Sequence, residues 1–144
     1  MASRFTKTQL PVDFYHDWFG VADDEARHFL MLSDRLADLN AAYGDLPAHD
    51  GLWQAADSIK HDLLAQLAIA PLMLEARGLD VTPTMIDRLK SVGDEETANA
   101  LGIIMTDEIT HVSVGKRWFD YMCGIDRLDP GSKWHSRVKR DLHG

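Results

Sequence analysis

Two stretches of this 144-residue chain place apolar residues in alternating steps of three and four, which is the spacing of a buried helix face. Near its middle, each stretch is interrupted by a Glu-x-x-His pair, Glu25/His28 in the first and Glu108/His111 in the second. Because a lone carboxylate on a dry face is strongly destabilising, the pattern predicts polar groups that compensate one another inside a helical fold. The apolar positions are Phe14, Trp18, Val21, Leu32, Leu36 and Leu39 in the first stretch, and Leu101, Ile104, Gly115, Trp118 and Met122 in the second.

Residues that start and end helices divide the first half of the chain into long segments. Pro11 is typical of a helix start, and the first helix is predicted from about 13 to 39. The segment 40–51 is rich in helix breakers and is predicted to be a loop. A second helix is predicted over 52–77, with Gly78 as the left-handed residue that ends it.

The second half is predicted to contain a short helix, a long helix and a tail. Thr82-Pro83 matches an N-cap followed by proline at the first helical position, which predicts a short helix over 83–91. Asp94 is expected to cap a long helix that ends near Cys123, and the residues after Pro130 could add one short helix.

No segment has the period-two alternation of a β-strand, so the sequence predicts an all-α fold. Three long helices with short connections predict an antiparallel helical bundle, with one or two short helices added. In the absence of a linker or a low-complexity segment, we expect one domain over 1–144, with a core at 11–124 and a tail at 125–144.

Charge and composition exclude some functions. The net charge of −8 makes a nucleic-acid partner unlikely on electrostatic grounds, since such a surface requires a basic face. No apolar run approaches the ~20 residues of a membrane helix, and the lone Cys123 cannot form an internal disulfide, so we expect a cytoplasmic protein. The basic C-terminal segment is interpreted either as a solvated last helix or as a docking patch for an anionic partner: Lys133, Arg137, Lys139 and Arg140.

The repeated Glu-x-x-His spacing favours metal binding. Residues three apart share a helix face, so each pair can bind one side of a common site. With five Glu and seven His in the chain, about 0.2 such pairs are expected by composition, yet two occur. The alternative is a hydrogen-bonded polar layer that fixes the register of the helices without a metal.

Other acidic residues could complete this site. Glu75 follows Leu64, Ala68 and Pro71 at the same spacing and is predicted to point inward as a ligand, although it could instead be a surface residue near a helix end. Pro71 removes a backbone hydrogen bond and should kink the helix close by. Asp24 and Asp107 each precede a motif Glu, and each is either a hydrogen-bond acceptor for the His of the other helix or a solvated residue.

These motifs resemble those of the ferritin-like di-metal carboxylate superfamily, which includes ribonucleotide reductase small subunits and bacterial multicomponent monooxygenases. More closely, the chain is similar to a family of bacterial ferritin-like proteins of unknown function. The resemblance covers roughly 11–130, and it is carried by the segments 24–28 (Asp-Glu-Ala-Arg-His), 43–53, 74–83 and 107–111 (Asp-Glu-Ile-Thr-His).

The resemblance implies two metal ions, most often iron or manganese. Glu25 and Glu108 would bridge them, and His111 with Glu75 would complete one site. His28 would lack a terminal carboxylate, because the family's acidic ligand from a further helix has no counterpart before the first motif. We therefore expect one site to be weak or empty, a neighbouring chain to supply the ligand, or a non-functional remnant. A bundle without that further helix would expose an apolar groove. Such a groove favours a homo-oligomer, most simply a dimer.

Three functions fit these features. The first is an O₂-activating di-metal oxidase or hydroxylase of unknown substrate, for which a ferritin-like tRNA hydroxylase family offers a fold-level analogy. The second is a metal-binding or storage protein without an organic substrate. The third is a non-catalytic helical module whose polar core is structural.

Overall fold

Helices form every regular element in the part of the chain that the computed structural model describes, residues 1–6 and 8–143. This confirms the predicted all-α helical bundle. A short 3₁₀ turn at Ala2–Arg4 precedes the first helix. The longer elements are α1 (Val12–Asp38), α2 (Gly51–Ser58), α3 (Leu63–Ile69), a π-helical segment (Ala70–Glu75), α4 (Ala76–Ser91), α5 (Glu95–Ile125) and α6 (Pro130–His143).

Helices α1 and α5 pack side by side in opposite directions. Near the start of α1, Asp17 accepts a hydrogen bond of 2.8 Å from the indole Nε1 of Trp118, late in α5. Near the end of α1, Arg35 donates a hydrogen bond of 2.9 Å to Asp94, which caps α5. Because hydrogen bonds join the two helices at both ends, the middle of α1 faces the middle of α5.

The main hydrophobic core lies at the end of the bundle where α1 begins. Its aromatic centre is the pair Phe14 and Trp118, whose ring centroids are 5.2 Å apart in an edge-to-face arrangement. The predicted apolar face of α1 is buried only in its first half, since Leu32 and Leu39 are exposed. The core residues are Phe14, Trp18 and Val21 of α1, Leu63, Leu64, Leu67 and Ala68 of α3, and Trp118, Phe119 and Cys123 of α5.

The middle of the chain differs from its sequence-based prediction. The prediction of one helix over 52–77 is wrong. The helix is interrupted at 59–62, and the chain then continues through α3 and the π-helical segment into α4. A separate helix over 83–91 is also wrong, since α4 runs on through Gly78 and Pro83. Gly78 is not among the glycines with positive φ, so it does not end a helix. Packing of α4 along α5 outweighs these local signals.

A π-helical segment lies at Pro71, where the sequence predicted a kink. Proline has no N–H to donate, and a π-helical turn accommodates the loss of one regular hydrogen bond. The Pro71 ring packs directly on Gly115 of α5, where an added Cβ would overlap the ring. This close approach of the two backbones brings Glu75, at the end of the segment, next to the centre of α5.

We expect Gly115→Ala to destabilise the fold by about 1–3 kcal/mol, because the new methyl group must displace the Pro71 ring in a packed interior. Gly102→Ala is the matched control on the same helix, where an added Cβ meets nothing within 4 Å. It should stabilise the protein by about 0.5–1 kcal/mol through helix propensity. Urea unfolding of both variants measures the difference, and equal stabilities would contradict the close contact.

The C-terminal helix packs on α3 and α5. Trp134 donates a hydrogen bond of 3.2 Å from its indole to the carbonyl oxygen of Ala68. Arg137 is buried and donates to Asp62 at 2.5 Å, and Arg140 donates to Asp141 at 2.6 Å. Two of the four basic residues in this segment are therefore paired with acids.

None of the helices in the described residues combines the length and the apolar character needed to cross a membrane.

Candidate metal centre

The two Glu-x-x-His pairs meet at mid-length of α1 and α5. The rings of His28 and His111 lie with their centroids 5.9 Å apart, and their side chains are 5% and 0% exposed. Both imidazoles are therefore held inside the bundle, as the sequence pattern predicted for this part of each helix.

Two carboxylates lie between these imidazoles. In Glu25, Oε1 lies 3.3 Å from Nδ1 of His111, and Oε2 lies 3.8 Å from Nδ1 of His28. In Glu108, Oε2 lies 3.5 Å from Nδ1 of His111, and Oε1 lies 4.0 Å from Nδ1 of His28. Each carboxylate therefore presents one oxygen to each imidazole, which is the arrangement that a bridging ligand between two ions requires.

The other ring nitrogens contact carboxylates of the opposite helix. Nε2 of His28 lies 3.0 Å from Asp107, and Nε2 of His111 lies 3.2 Å from Asp24. These hydrogen bonds lower the pKa of both Asp residues. Because an ionised carboxylate only accepts, we assign the proton to Nε2, which leaves the lone pair of Nδ1 directed at the glutamates.

Arg27 connects the two supporting carboxylates. Its guanidinium pairs with Asp24 on its own helix and with Asp107 across the interface at 3.2 Å. This role of Arg27 is not among those predicted from the sequence. A signal was present, because Arg27 lies three residues after Asp24 and therefore on the same face of α1.

Several atoms of this centre are buried without a hydrogen-bond partner in the described residues. Native proteins rarely leave such atoms unsatisfied, since each costs free energy when removed from water. A bound cation would satisfy nitrogen lone pairs and carboxylate oxygens together, so these residues fit a metal site. The atoms are Nδ1 of His28, Nδ1 of His111, Oε2 of Glu75 and Oε2 of Glu108.

The donor atoms form two groups that could each hold an ion. One group contains Glu25, His28 and Glu108, and the other contains Glu75, Glu108 and His111. Within each group the ligand atoms lie within 4.8 Å of one another. The structure thus brings together all five residues that the sequence selected, and Glu108 belongs to both groups.

Glu75 reaches the centre from the π-helical segment and does not lie on the outer surface beside Arg77. Burial, together with the charges of Glu108 and Glu25, raises the pKa of Glu75 to about 7. The pKa of Glu108 is also raised by burial and by Glu25. The acids repel one another when no cation is present, which is a condition that favours metal binding.

The charges of this cluster match two divalent ions. With both imidazoles neutral, five carboxylates and one guanidinium leave four negative charges, which two divalent cations would neutralise. The groups counted are Asp24, Glu25, Glu75, Asp107, Glu108 and Arg27.

The prediction that Glu25 lies in the middle of the driest face of α1 is wrong. Its side chain is 49% exposed, whereas that of Glu108 is 17% exposed. The group around His28 is therefore open towards solvent on the Glu25 side. The group around His111 is more enclosed, because Glu75 covers it from the π-helical segment.

We expect Asp107→Asn and Asp24→Asn each to weaken metal binding by roughly 10–100-fold, because each removes the carboxylate that orients one imidazole. Asp23→Asn is the matched control, since Asp23 is an exposed neighbour on the same helix. Titration with Mn(II), followed by the electron paramagnetic resonance signal of the free ion, measures the affinity. Unchanged binding in both variants would rule out the orienting role.

A family model described as "Protein of unknown function (DUF455)" matches residues 1–144. An uncharacterized protein of Haemophilus influenzae is 42% identical over 116 residues, which cover 81% of this chain and 40% of that protein. The chain therefore spans less than half the length of the curated relative that it matches. No solved structure matches the chain.

Proposed function

We propose that this chain, which belongs to the DUF455 family of proteins of unknown function, is a ferritin-like protein that binds two redox-active metal ions and uses them in oxidation by O₂. One observation carries the proposal: Glu25 and Glu108 each direct one carboxylate oxygen at each of the two imidazoles. A purely structural polar layer needs no such double approach.

The ligand types favour iron or manganese. Carboxylate oxygens and imidazole nitrogens suit both metals, whereas thiolate would favour zinc or copper. The single thiol, Cys123, is buried in the hydrophobic core with Phe14 and Trp118 and contributes nothing to the centre. We assign Glu25 and Glu108 as bridging ligands, His28 to one ion, and His111 with Glu75 to the other.

Glu25, His28, Glu75, Glu108 and His111 would hold two Fe(II) ions, which would supply two electrons, becoming Fe(III), for the reduction of O₂ with two protons to H₂O₂. The protein's own groups prepare this site. Asp24 and Asp107 accept hydrogen bonds from Nε2–H of His111 and His28, and Arg27 forms ion pairs with both Asp residues. Because Glu25 is half exposed, ions and protons can reach the centre from that side.

The exposure of Glu25 also supports a second function, metal binding or storage. A metal-binding or storage protein needs an open route for ions and no substrate cavity, and the Glu25 side provides such a route. The two functions differ in the amount of iron that the protein retains. An oxidase should stop at about two ions per chain, whereas a storage protein should accumulate more.

The test is anaerobic loading with Fe(II) followed by the admission of O₂, with iron per chain and O₂ consumed both measured. We expect about two iron ions per chain and about one O₂ consumed per pair of ions. Iron accumulating far beyond two ions would select storage. Iron content near zero, with O₂ uptake no faster than that of free Fe(II), would reject both functions in favour of a structural core.

We also propose that the chain forms a homodimer whose interface covers the exposed apolar residues of α1 that follow Glu25, such as Phe29 and Leu32, and leaves Glu25 itself open to solvent. Phe29, one turn after Glu25, is 52% exposed and packs edge to face against Tyr43, at a centroid distance of 5.5 Å. Exposed apolar surface beside a functional site is usually covered by a partner. Size-exclusion chromatography with light scattering should give the mass of a dimer, and a monomer mass would contradict the proposal.

A further inference from the structure

We infer that a small, uncharged, apolar organic molecule binds in a cavity between α4 and α5, directly beside the metal centre. The inference rests on the proposed function, because it identifies the substrate class of that same site. The cavity has a volume of about 250 Å³. Leu74, Leu79, Ile104 and Met105 supply most of its surface, and Glu75 and Glu108 line it as well.

The position of the cavity links it to the proposed chemistry. Glu75 and Glu108 form a candidate metal group with His111, so the cavity wall includes two of that group's three residues. Thr82 lines the cavity seven residues after Glu75, a distance of about 10 Å along a helix. A molecule lying along this length would have one end next to the ion ligands.

The lining favours an uncharged molecule. Apart from the two glutamates, whose charges the ions would neutralise, no charged side chain of the described residues lines the cavity. The hydroxyl of Thr82 already donates to the carbonyl oxygen of Gly78 at 2.8 Å, so it can only accept a further hydrogen bond. A phosphate, carboxylate or amine would therefore lie against apolar side chains without an opposite charge, which is unfavourable.

The volume limits the size of the molecule. Cavities for drug-sized ligands have about 300–1,000 Å³, so this one fits a molecule of roughly ten non-hydrogen atoms or fewer. The apolar side chains that line it are half-buried, so their surfaces remain accessible to a ligand. A monocyclic or short-chain compound meets both conditions.

Gly78 of α4 contributes to the width of this cavity. Glycine inside a helix costs about 1 kcal/mol relative to alanine. Its φ is not positive, and an added Cβ would meet nothing within 4 Å, so neither backbone conformation nor packing requires glycine here. Since Gly78 lines the cavity, the absence of a side chain has the effect of leaving room for a ligand.

The test uses 4-fluorotoluene as the probe and the Mn(II)-loaded protein after removal of free ion. Bound close to paramagnetic Mn(II), the probe should show a ¹⁹F transverse relaxation rate at least about tenfold higher than with the metal-free protein, since only a probe near the ions is relaxed strongly. Unlabelled toluene should reverse the effect by competition. Manganese per chain is measured on the same samples.

Gly78→Leu fills the cavity and should abolish the enhancement while leaving the manganese content unchanged. Gly78→Ala is a milder variant that should fold readily and should reduce the enhancement in part. Gly124→Leu is the matched control, on the exposed side of α5 where an added Cβ also meets nothing within 4 Å.

Two results would overturn the inference while leaving the metal centre intact. One is full manganese content with no relaxation enhancement in the wild-type protein. The other is an enhancement that persists in both Gly78 variants, which would mean that the probe binds elsewhere. Manganese content near zero would instead reject the proposed function, and the substrate class with it.

Discussion

Replacing Glu108 by Gln should abolish tight binding of both metal ions, whereas replacing Glu75 by Gln should remove only one. Glu108 belongs to both candidate groups, and its two oxygens face different imidazoles. Glu75 belongs to one group only. Glutamine keeps the shape of the side chain but loses the negative charge, and a neutral amide is a poor ligand for a hard divalent cation.

Metal content after loading with Mn(II) and desalting measures this prediction. We expect about two ions per chain in the wild-type protein, about one in Glu75→Gln and near zero in Glu108→Gln, since metal affinity depends on the number of anionic ligands. Glu95→Gln is the matched control, because Glu95 is an exposed residue in the first turn of the same helix as Glu108. Equal metal content in all four proteins would exclude the assigned ligands.

Loss of metal in Glu108→Gln should not result from unfolding. In the metal-free protein, burial and the charge of Glu25 both raise the pKa of Glu108, so its charged form is held at a cost. The neutral amide avoids that cost. The metal-free variant should therefore melt at the same temperature as the metal-free wild-type protein or above it, as is common when a functional residue is removed.

Addition of Mn(II) to the metal-free protein, with both sites filled, should raise its melting temperature by about 10–20 °C. A ligand that binds only the folded state at 100 times its dissociation constant adds about 2.7 kcal/mol per site. For a domain of this size, each kcal/mol corresponds to about 2–4 °C. The largest gain should occur in the wild-type protein, and Glu108→Gln should show almost none.

The gain should increase with pH. Burial raises the pKa of Glu75 from 4.5 to about 7. Burial opposes protonation of His111, but its hydrogen bond to Asp24 and the neighbouring glutamates raise its pKa overall. Both groups hold protons more tightly in the folded state, so the stability of the metal-free protein falls as pH rises, through Glu75 between about 4.5 and 7 and through His111 from about 6.5 upward.

Bound ions must displace these protons, so metal binding strengthens over the same pH range. Scanning calorimetry at pH 5.5 and pH 7.5, with and without Mn(II), checks both trends. The difference between metal-loaded and metal-free melting temperatures should be larger at the higher pH. A difference that is constant or that shrinks with pH would show that the buried acids do not bind the ion.

The sequence predicted α1 and α5 closely because their boundaries depend on strong local signals. Asp94 accepts hydrogen bonds at the start of α5, and Gly93 before it has a φ of +82°, which other residues avoid. The Glu-x-x-His pairs could be placed face to face for a related reason. Two antiparallel helices with equivalent motifs at mid-length bring those motifs to the same depth.

The middle of the chain could not be predicted in the same way. Gly78 and Pro83 are helix-ending signals of about 1 and 3 kcal/mol, which packing against a long neighbouring helix can override. Likewise, the periodicity around Glu25 identifies the side of α1 that faces the bundle, but it does not give the number of helices that cover it. The half-exposed state of Glu25 depends on tertiary neighbours, and no local pattern encodes it.

The two imidazoles are unequally covered, so the two ions would differ in how easily they exchange. An ion beside His111 would be enclosed by Glu75, whereas an ion beside His28 would be reached from solvent through the side of Glu25. Both ions should stay bound through desalting, but the ion beside His28 should be the first to exchange when a second metal is added. Sequential addition of two different metals would then yield a mixed pair, with the identity of each ion set by the time of its arrival.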